Sequence, residues 1–196
     1  MVSAIILAAG ESTRMGEPKA LLPFGERSFL ETIISNFRAA GIENIIVVLG
    51  HNAELILRKV NPSDAEFVIN TNYKHGQFSS FQVGIKKLEP DVEGAFLALV
   101  DQPHMAVSVI AEILNGFQKN QERIVIPMFK GKRGHPPIFP RRLFNEIVSS
   151  PPSRITSDVI RSNSELVYEV QIDDARILRD IDTKQQLVEI QMERIK

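Results

Sequence analysis

The residues best suited to chemistry lie in a loop near the start of the chain, where two cations follow a run of small residues. In order they are Leu7, Ala8, Ala9, Gly10, Arg14 and Lys19. Small side chains let backbone amides approach a base or a phosphate, and the two cations can offset triphosphate charge. The alternative is a flexible surface turn with two solvated cations. The loop is neither a dinucleotide fingerprint nor a P-loop, because it lacks their glycine spacing and terminal Gly-Lys-Ser/Thr.

A carboxylate at the end of an apolar run is the second candidate. Asp101 follows the apolar residues 95–100 and precedes Gln102 and Pro103. Ligands of open α/β sheets bind beyond the carboxyl ends of the strands, so Asp101 is expected in the same crevice as the first loop. Mg²⁺ binds one or two carboxylates together with substrate phosphates, which makes Asp101 the best candidate metal ligand. Alternatively, Asp101 caps the next helix or opens a turn into Pro103.

Two weaker signals follow further along the chain. Ser79 and Ser80 lie in a turn at residues 75–80 that precedes a helix, so their hydroxyls either cap that helix or hydrogen-bond a nucleotide. Residues 130–137 form a basic loop containing Gly131 and Gly134, which either clamps a second, anionic substrate or is a solvated turn.

Composition excludes several other functions. The chain has no cysteine, and its four histidines have no metal-ligand spacing, so zinc and disulfides are not expected. A formal net charge of -1 with both signs spread evenly argues against nucleic acid. No apolar run approaches the ~20 residues that span a bilayer, so no membrane is expected. The apolar start is predicted to be a buried strand rather than a signal peptide, and we expect a cytoplasmic protein.

Apolar runs alternate with amphipathic segments along the whole chain, a pattern that predicts a three-layer α/β fold with a mostly parallel central sheet. We expect one domain over residues 1–196, because 196 residues suffice for a single core. The predicted strands are residues 3–8, 44–49, 66–69, 95–100, 123–127 and 166–171. One predicted helix begins at a capping box of Ser28 and Glu31 and ends at Gly41. The other predicted helices are residues 52–59, 79–88, 106–119, 141–148, 157–161 and 183–192. Residues 130–140 and 149–153 are predicted to be loops.

Five segments, taken in order, resemble the MobA-like nucleotidyltransferases and, within that family, the molybdenum cofactor cytidylyltransferases. They are residues 7–19, 76–80, 101–103, 134–136 and 180–183. The resemblance extends along nearly the whole chain. It implies a Rossmann-like nucleotidyltransferase fold and the transfer of a nucleotide from a nucleoside triphosphate, with Mg²⁺, to a phosphorylated small molecule.

The resemblance also implies a role for each matching residue. The base and ribose are held by Leu7, Ala8, Ala9 and Gly10, and the triphosphate by Arg14 and Lys19. Asp101 holds the metal, and Asp182, which we favour over Asp180, completes the metal site. The turn that closes over the base contains Gly76, Ser79 and Ser80, and His135 lies on the acceptor side.

Finer features of the resemblance favour particular substrates. Ala9 stands where guanylyltransferase relatives usually carry glycine, which favours CTP as the donor. The resemblance to the molybdenum cofactor cytidylyltransferases implies molybdopterin with its metal as the acceptor. A molybdenum hydroxylase apoenzyme is then an expected partner. Glu11 and Glu17 depart from the pattern, because they add negative charge beside the triphosphate, and Gln77 and Phe78 replace residues of the usual Gly-Met-Ser-Ser-Ser turn. A transferase for a sugar or polyol phosphate, or a non-catalytic nucleotide-binding protein, are the alternatives.

Overall fold

An eight-stranded sheet forms the centre of the molecule in a computed structural model, which describes residues 1–193 and, of Pro62, only the backbone. The strands are β1 Val2–Ala8, β2 Pro23–Phe24, β3 Arg27–Ser28, β4 Ile45–Leu49, β5 Glu66–Ile69, β6 Gly94–Leu99, β7 Ile124–Phe129, β8 Lys132–Arg133, β9 Ile138–Pro140 and β10 Val167–Gln171. The α-helices are α1 Phe29–Ala39, α2 Ala53–Lys59, α3 Gln77–Ile85, α4 Val107–Gln118, α5 Phe144–Ser149, α6 Thr156–Ser162 and α7 Lys184–Glu193.

The sheet is mostly parallel, as the alternation of the sequence predicts. Its strand order is β10-β7-β9-β6-β1-β4-β5, with β8 paired to β7, while β2 and β3 form a separate hairpin. Strand β1 pairs in parallel with both β4 and β6, and Leu7 lies opposite Leu99. The carboxyl ends of β1 and β6 are therefore neighbours, which puts the loops after them side by side.

Helices cover both faces of the sheet because successive strand residues point to opposite faces. Ala4 and Ile6 of β1 face the apolar cluster that includes α1, α2 and α4. Ile5 and Leu7 face the cluster that includes α3, α5 and α6. The result is the predicted three-layer arrangement, with β1 buried in its middle.

Helix α1 has the predicted ends. The Ser28 amide donates to Glu31 Oε2 at 2.8 Å, and the Glu31 amide donates to Ser28 Oγ at 3.3 Å, which completes a capping box. After the helix, Gly41 adopts a φ of 87°, and its amide donates to the carbonyl of Arg38. This left-handed conformation suits glycine.

The prediction of a loop over residues 130–140 is wrong, because the segment contains β8 and β9. Lys130 and Gly131 have φ values of 46° and 78°, which turn β7 back into β8. Ile138 and Phe139 are fully buried, and β9 lies antiparallel between β6 and β7. Two apolar residues between prolines are too short a run to identify as a strand from sequence, yet β9 pairs with strands on both sides in the middle of the sheet. Within residues 1–193, no helix has both the length and the apolar character needed to cross a bilayer.

Candidate active site

A cavity of about 430 Å³ opens beyond the carboxyl ends of β1 and β6, and we refer to it as the strand-end cavity. Ligands of open α/β sheets bind in this crevice. Most residues singled out from the sequence line it: Leu7, Ala8, Ala9, Gly10, Arg14, Lys19, Gly76, Ser80, Asp101 and Asp182. The structure thus brings together residues from four distant parts of the chain.

One ammonium group joins two carboxylates at the centre of this cavity. Lys19 Nζ lies 3.1 Å from Asp101 Oδ2 and 2.5 Å from Asp182 Oδ1. Arg14 Nη1 lies 3.6 Å from Asp182 Oδ2. The Lys19 side chain is only 12% exposed, whereas that of Arg14 is 74% exposed. Lys19 is therefore a fixed part of the cavity wall, and Arg14 stands at its mouth.

A small apolar cluster holds these charged residues together. Met15, next to Arg14, is 2% exposed and belongs to the same cluster as Ile181, next to Asp182. Phe29 and Ile190 complete the packing from α1 and α7. The Ile181 amide also donates to the Asp101 carbonyl at 2.9 Å. Packing and one backbone hydrogen bond thus fix Asp182 beside the strand-end carboxylate.

The electrostatic environment differs between the two carboxylates. Burial raises the pKa of Asp101 above its ordinary value, although Lys19 opposes the shift. The hydrogen bond from Lys19 lowers the pKa of Asp182. Burial alone would lower the pKa of Lys19, but the charges of Asp101 and Asp182 outweigh it and raise that pKa. The two carboxylates therefore favour the charged form of Lys19.

Asp101 has the features of a metal ligand. Its Oδ1 is buried and has no hydrogen-bond partner among the described residues, so an oxygen that prefers a hard cation is left unsatisfied. Asp182 is the second carboxylate facing the cavity, whereas Asp180 Oδ1 accepts a hydrogen bond from Gln102 Nε2 at 2.9 Å. No group of three or more metal-ligating side chains occurs in residues 1–193, so these residues suit an ion that takes its remaining ligands from substrate and water.

The serine turn serves partly a structural purpose. Asn70 Nδ2 donates to the hydroxyls of both Ser79 and Ser80 at 3.0 Å. Ser79 Oγ also donates to the Gly76 carbonyl at 2.7 Å, and Ser79 does not line the strand-end cavity. Gly76 has a φ of 97°, which a larger residue would adopt only with strain. Of the three, Gly76 and Ser80 reach the cavity, and Ser79 supports the turn from behind.

Tyr73 and Ser12 are parts of the site that the sequence did not reveal. Tyr73 lines the cavity, and its hydroxyl lies 3.3 Å from His51 Nδ1. A Cβ on Gly50 would lie 2.7 Å from Tyr73 Cβ and 2.9 Å from Ala9, so glycine there lets two walls of the cavity meet. Ser12 Oγ accepts the Lys19 amide at 3.1 Å, which closes the loop. Tyr73 and Gly50 lie outside the segments singled out from the sequence, and Ser12 lies within residues 7–19 but has no role assigned to it there.

Glu11 and Glu17, the two acidic residues that depart from the family pattern, do not line the strand-end cavity. Both residues are exposed. Since exposed charges are screened by water and salt, they oppose a bound triphosphate much less than charges inside the cavity would.

His135, to which the resemblance gives a role on the acceptor side, lines a different cavity of about 600 Å³ together with other residues of the basic loop. We refer to it as the side cavity; its wall includes Arg133, His135, Ile155, Ser157 and Arg161. His135 Nδ1 is buried without a hydrogen-bond partner in the described part of the chain, and burial lowers the pKa of this imidazole. The structure therefore does not bring His135 together with Asp101 and Lys19.

A three-layer α/β fold with a carboxylate and lysine cluster at the ends of neighbouring parallel strands defines the class of protein as a nucleotidyltransferase. The chain belongs to the MobA-like NTP transferase domain family, whose model matches residues 4–166.

Similar proteins include two relatives of nearly the same length. The nicotine blue oxidoreductase of Paenarthrobacter nicotinovorans is 27% identical, with 95% of this chain and 94% of that protein covered. The molybdenum cofactor cytidylyltransferase of Escherichia coli is 27% identical, with 93% and 91% covered. Among solved structures, Rv0371c from Mycobacterium tuberculosis is 25% identical, with a TM-score of 0.87 and 97% of each chain covered.

Proposed function

We propose that this nucleotidyltransferase transfers CMP from CTP to a phosphorylated small molecule, molybdopterin with its metal, and releases pyrophosphate. The observation that carries the proposal is the cluster of Lys19, Asp101 and Asp182 in the strand-end cavity. A triphosphate with a divalent cation needs both signs of charge in one place, and this cluster supplies them.

The identity of the nucleotide rests on the small-residue loop and on one relative. Ala9 is 6% exposed and lines the strand-end cavity. An alanine at this position favours a pyrimidine over the larger purine, in accordance with the resemblance. The Escherichia coli relative is named as a cytidylyltransferase, which supports the same choice. A molybdenum hydroxylase as partner and a cytoplasmic location stay predictions.

Mg²⁺ is the proposed cofactor, held by Asp101 and Asp182. Asp101 Oδ1, buried and unpartnered among the described residues, is the atom that fits it best. When bound, the ion would neutralise charge on the phosphates. Lys19 and Arg14 would orient the triphosphate and stabilise the negative charge that grows on the leaving pyrophosphate.

The reaction needs no covalent intermediate with the protein. An oxygen of the acceptor phosphate forms a bond with the α-phosphorus of CTP, and the bond from that phosphorus to the bridging oxygen of the β-phosphate breaks. The electron pair leaves with pyrophosphate. Catalysis of this kind depends on positioning and on charge, which fits a site composed of fixed cations and carboxylates.

Pyrophosphate release tests the proposal. The protein is incubated with Mg²⁺, each nucleoside triphosphate in turn, and molybdopterin carrying molybdenum or a sugar or polyol phosphate. We expect release with CTP and molybdopterin at least about tenfold faster than with GTP, a difference of about 1.4 kcal/mol. Release only with a sugar or polyol phosphate would replace the acceptor, and binding of CTP without any release would favour a non-catalytic nucleotide-binding protein.

A second assay is needed because one relative is named as an oxidoreductase. Oxidoreductases commonly use a nicotinamide or flavin cofactor, and no dinucleotide fingerprint occurs in the sequence. The charge cluster in the strand-end cavity favours triphosphate chemistry. Oxidation of NADH or NADPH with a dye acceptor, together with no turnover of any triphosphate, would contradict the proposed transfer.

A further inference from the structure

His104 is a buried imidazole to which the proposed transfer gives no role. It lies in residues 101–105, which we refer to as the β6 turn, and residues 102–105 of this turn are all buried. His104 itself is only 4% exposed. Its Nε2 lies 3.2 Å from the carbonyl oxygen of Arg176, whereas its Nδ1 is buried without a hydrogen-bond partner in residues 1–193. A buried polar side chain in this position calls for a reason.

His104 is one of three points at which the β6 turn holds the stretch of chain that leads to Asp182. We refer to this stretch, residues 174–182, as the carboxylate segment; it lies between β10 and α7. Because the segment crosses the β6 turn, its distance from that turn determines how far Asp182 lies from Asp101. The three contacts are those of His104 Nε2 with the Arg176 carbonyl at 3.2 Å, Gln102 Nε2 with Asp180 Oδ1 at 2.9 Å, and the Ile181 amide with the Asp101 carbonyl at 2.9 Å.

The surroundings of the imidazole determine its protonation. A carbonyl oxygen only accepts hydrogen bonds, so Nε2 is the donor to Arg176, and the neutral ring then carries its lone pair at Nδ1. Burial lowers the pKa of His104, and together with the charges of Arg176 and Arg179 it outweighs the carbonyls of these residues, which favour a protonated ring. The nearby carboxylates, Asp174 and Glu193, are paired with the same two arginines. The ring is therefore neutral near pH 7, with its proton on Nε2.

We propose that His104 is a positioning residue for Asp182: its Nε2–H holds the carboxylate segment against the β6 turn and so keeps Asp182 beside Asp101. This inference rests on the proposed function, in which the two carboxylates hold the metal ion. His104 does not line the strand-end cavity, so it acts through the segment and does not touch the substrate. Loss of a side chain that orients a metal ligand typically lowers metal affinity or activity by roughly 10–100-fold.

Two substitutions separate the hydrogen bond from the shape of the ring. His104→Phe keeps a planar ring without an N–H group, and His104→Gln places a neutral amide N–H near the position of Nε2. The Arg176 carbonyl also accepts the Arg179 amide at 3.1 Å, so it keeps a partner in His104→Phe, and this variant should fold. Asn36→Leu is the matched control, because Asn36 Nδ2 donates at 2.9 Å to the Met105 carbonyl of the same turn and not to the carboxylate segment.

Amide hydrogen exchange of the whole chain tests the position of the segment without metal or nucleotide. The Ile181 amide reports on the contact between the segment and the β6 turn, and the Val100 amide, which donates to a carbonyl of β1, reports on the sheet beside it. We expect Ile181 to exchange roughly tenfold faster in His104→Phe than in wild type, because one hydrogen bond fewer holds the segment. Val100 should exchange at an unchanged rate. His104→Gln and Asn36→Leu should match wild type at Ile181, and equal rates in His104→Phe and wild type would refute the proposal.

The affinity for Mn²⁺ shows whether the segment positions the metal site. Electron paramagnetic resonance measures free Mn²⁺ in the presence of α,β-methylene CTP, which cannot transfer its nucleotide. We expect His104→Phe to bind Mn²⁺ roughly tenfold more weakly than wild type, because Asp182 is no longer held beside Asp101. His104→Gln should restore the affinity, and Asn36→Leu should not change it.

The outcomes separate this inference from the proposed function. If wild type binds no Mn²⁺ with α,β-methylene CTP, the proposed function is contradicted, and the exchange rates still decide whether His104 holds the segment. If Ile181 exchanges faster in His104→Phe while the Mn²⁺ affinity is unchanged, the positioning role is refuted and the metal site stands. A loss of affinity that His104→Gln does not restore would refute the part played by the Nε2–H group.

Discussion

The two cavities differ in where their charged side chains find partners. In the strand-end cavity, Lys19 binds Asp101 and Asp182, residues 82 and 163 positions away in the chain. In the side cavity, Arg161 pairs with Asp158, three positions away on the same helix, and Arg133 of β8 pairs with Glu169 of β10 at the surface. The first set of charges is fixed by the tertiary fold, whereas the second depends on pairs at the surface.

The two sets of charges differ in how firmly the fold holds them. Partly buried ion pairs are costly to break once formed, so Lys19 and its two carboxylates define a rigid site. Exposed pairs contribute about 0–1 kcal/mol each, and rearranging them for a ligand costs little. We therefore expect substitutions in the strand-end cavity to affect the chemical step.

The largest effect is expected from Asp101→Ala. The change removes the buried carboxylate whose Oδ1 is unpartnered among the described residues, so transfer should fall by at least roughly 10²–10³. Circular dichroism and thermal unfolding should show an intact fold. Asp91→Ala is the control, because Asp91 is an exposed aspartate outside both cavities. Near-normal pyrophosphate release by Asp101→Ala would contradict the assignment of the chemical step to the strand-end cavity.

The next effect compares two cations of the same loop. Lys19→Ala should lower kcat by roughly 10²-fold, because the Lys19 side chain is only 12% exposed and is held between two carboxylates. Arg14→Ala should act more weakly, within about tenfold, because its guanidinium is 74% exposed. Steady-state kinetics with CTP measure both values, and the exposed Lys132→Ala is the control. A larger loss of kcat in Arg14→Ala than in Lys19→Ala would mean that burial does not determine which cation contributes more to catalysis.

The free energy of unfolding should respond differently to an added methyl group in the walls of the two cavities. A Cβ on Gly134, in the side cavity, would lie 2.5 Å from the Ile177 carbonyl oxygen, whereas a Cβ on Gly10 meets nothing within 4 Å. Gly134→Ala should therefore cost about 1–3 kcal/mol of unfolding free energy, and Gly10→Ala should leave it nearly unchanged. Urea denaturation measures both. Gly10→Ala should nevertheless weaken CTP binding, if the nucleotide lies against the backbone there.

The smallest effect concerns the helix that supports the strand-end cavity. Ser28 donates hydrogen bonds to Glu31 and lowers the pKa of its carboxyl group. A folded pKa below the unfolded one means that this contribution is present above the unfolded value and is lost as pH falls through the folded value. Glu31→Gln should thus be less stable than wild type at pH 7 by about 0.5–1 kcal/mol. The gap should close towards pH 3, and a constant gap in urea denaturation across this range would refute the assignment.

The sequence predicts the strand-end cavity far better than the side cavity. Strands β1 and β6 are apolar runs long enough to identify, and parallel strands end at the same edge of a sheet, so the placement of Gly10 and Asp101 at that edge follows from pattern alone. That β1 and β6 are neighbours is seen only in the structure. The proximity of Asp182 is implied only by the family resemblance. Its physical cause is the packing of Met15 with Ile181, which local sequence does not encode.

The side cavity could not be predicted for a related reason. Strand β9, which lies between β6 and β7, is only three residues long and follows two prolines, so its sequence resembles a loop. Gln77 lies on both cavities because α3 begins at that residue, two positions before the predicted start. Tertiary packing, rather than any local pattern, determines both features.

A crystal structure with α,β-methylene CTP and Mg²⁺ tests the central claim most directly. We expect the metal ion on Asp101 and Asp182, with the triphosphate along Lys19 and Arg14 and the cytosine against Ala9 and Gly10. A nucleotide bound elsewhere, or a metal ion that does not contact Asp101, would contradict this account.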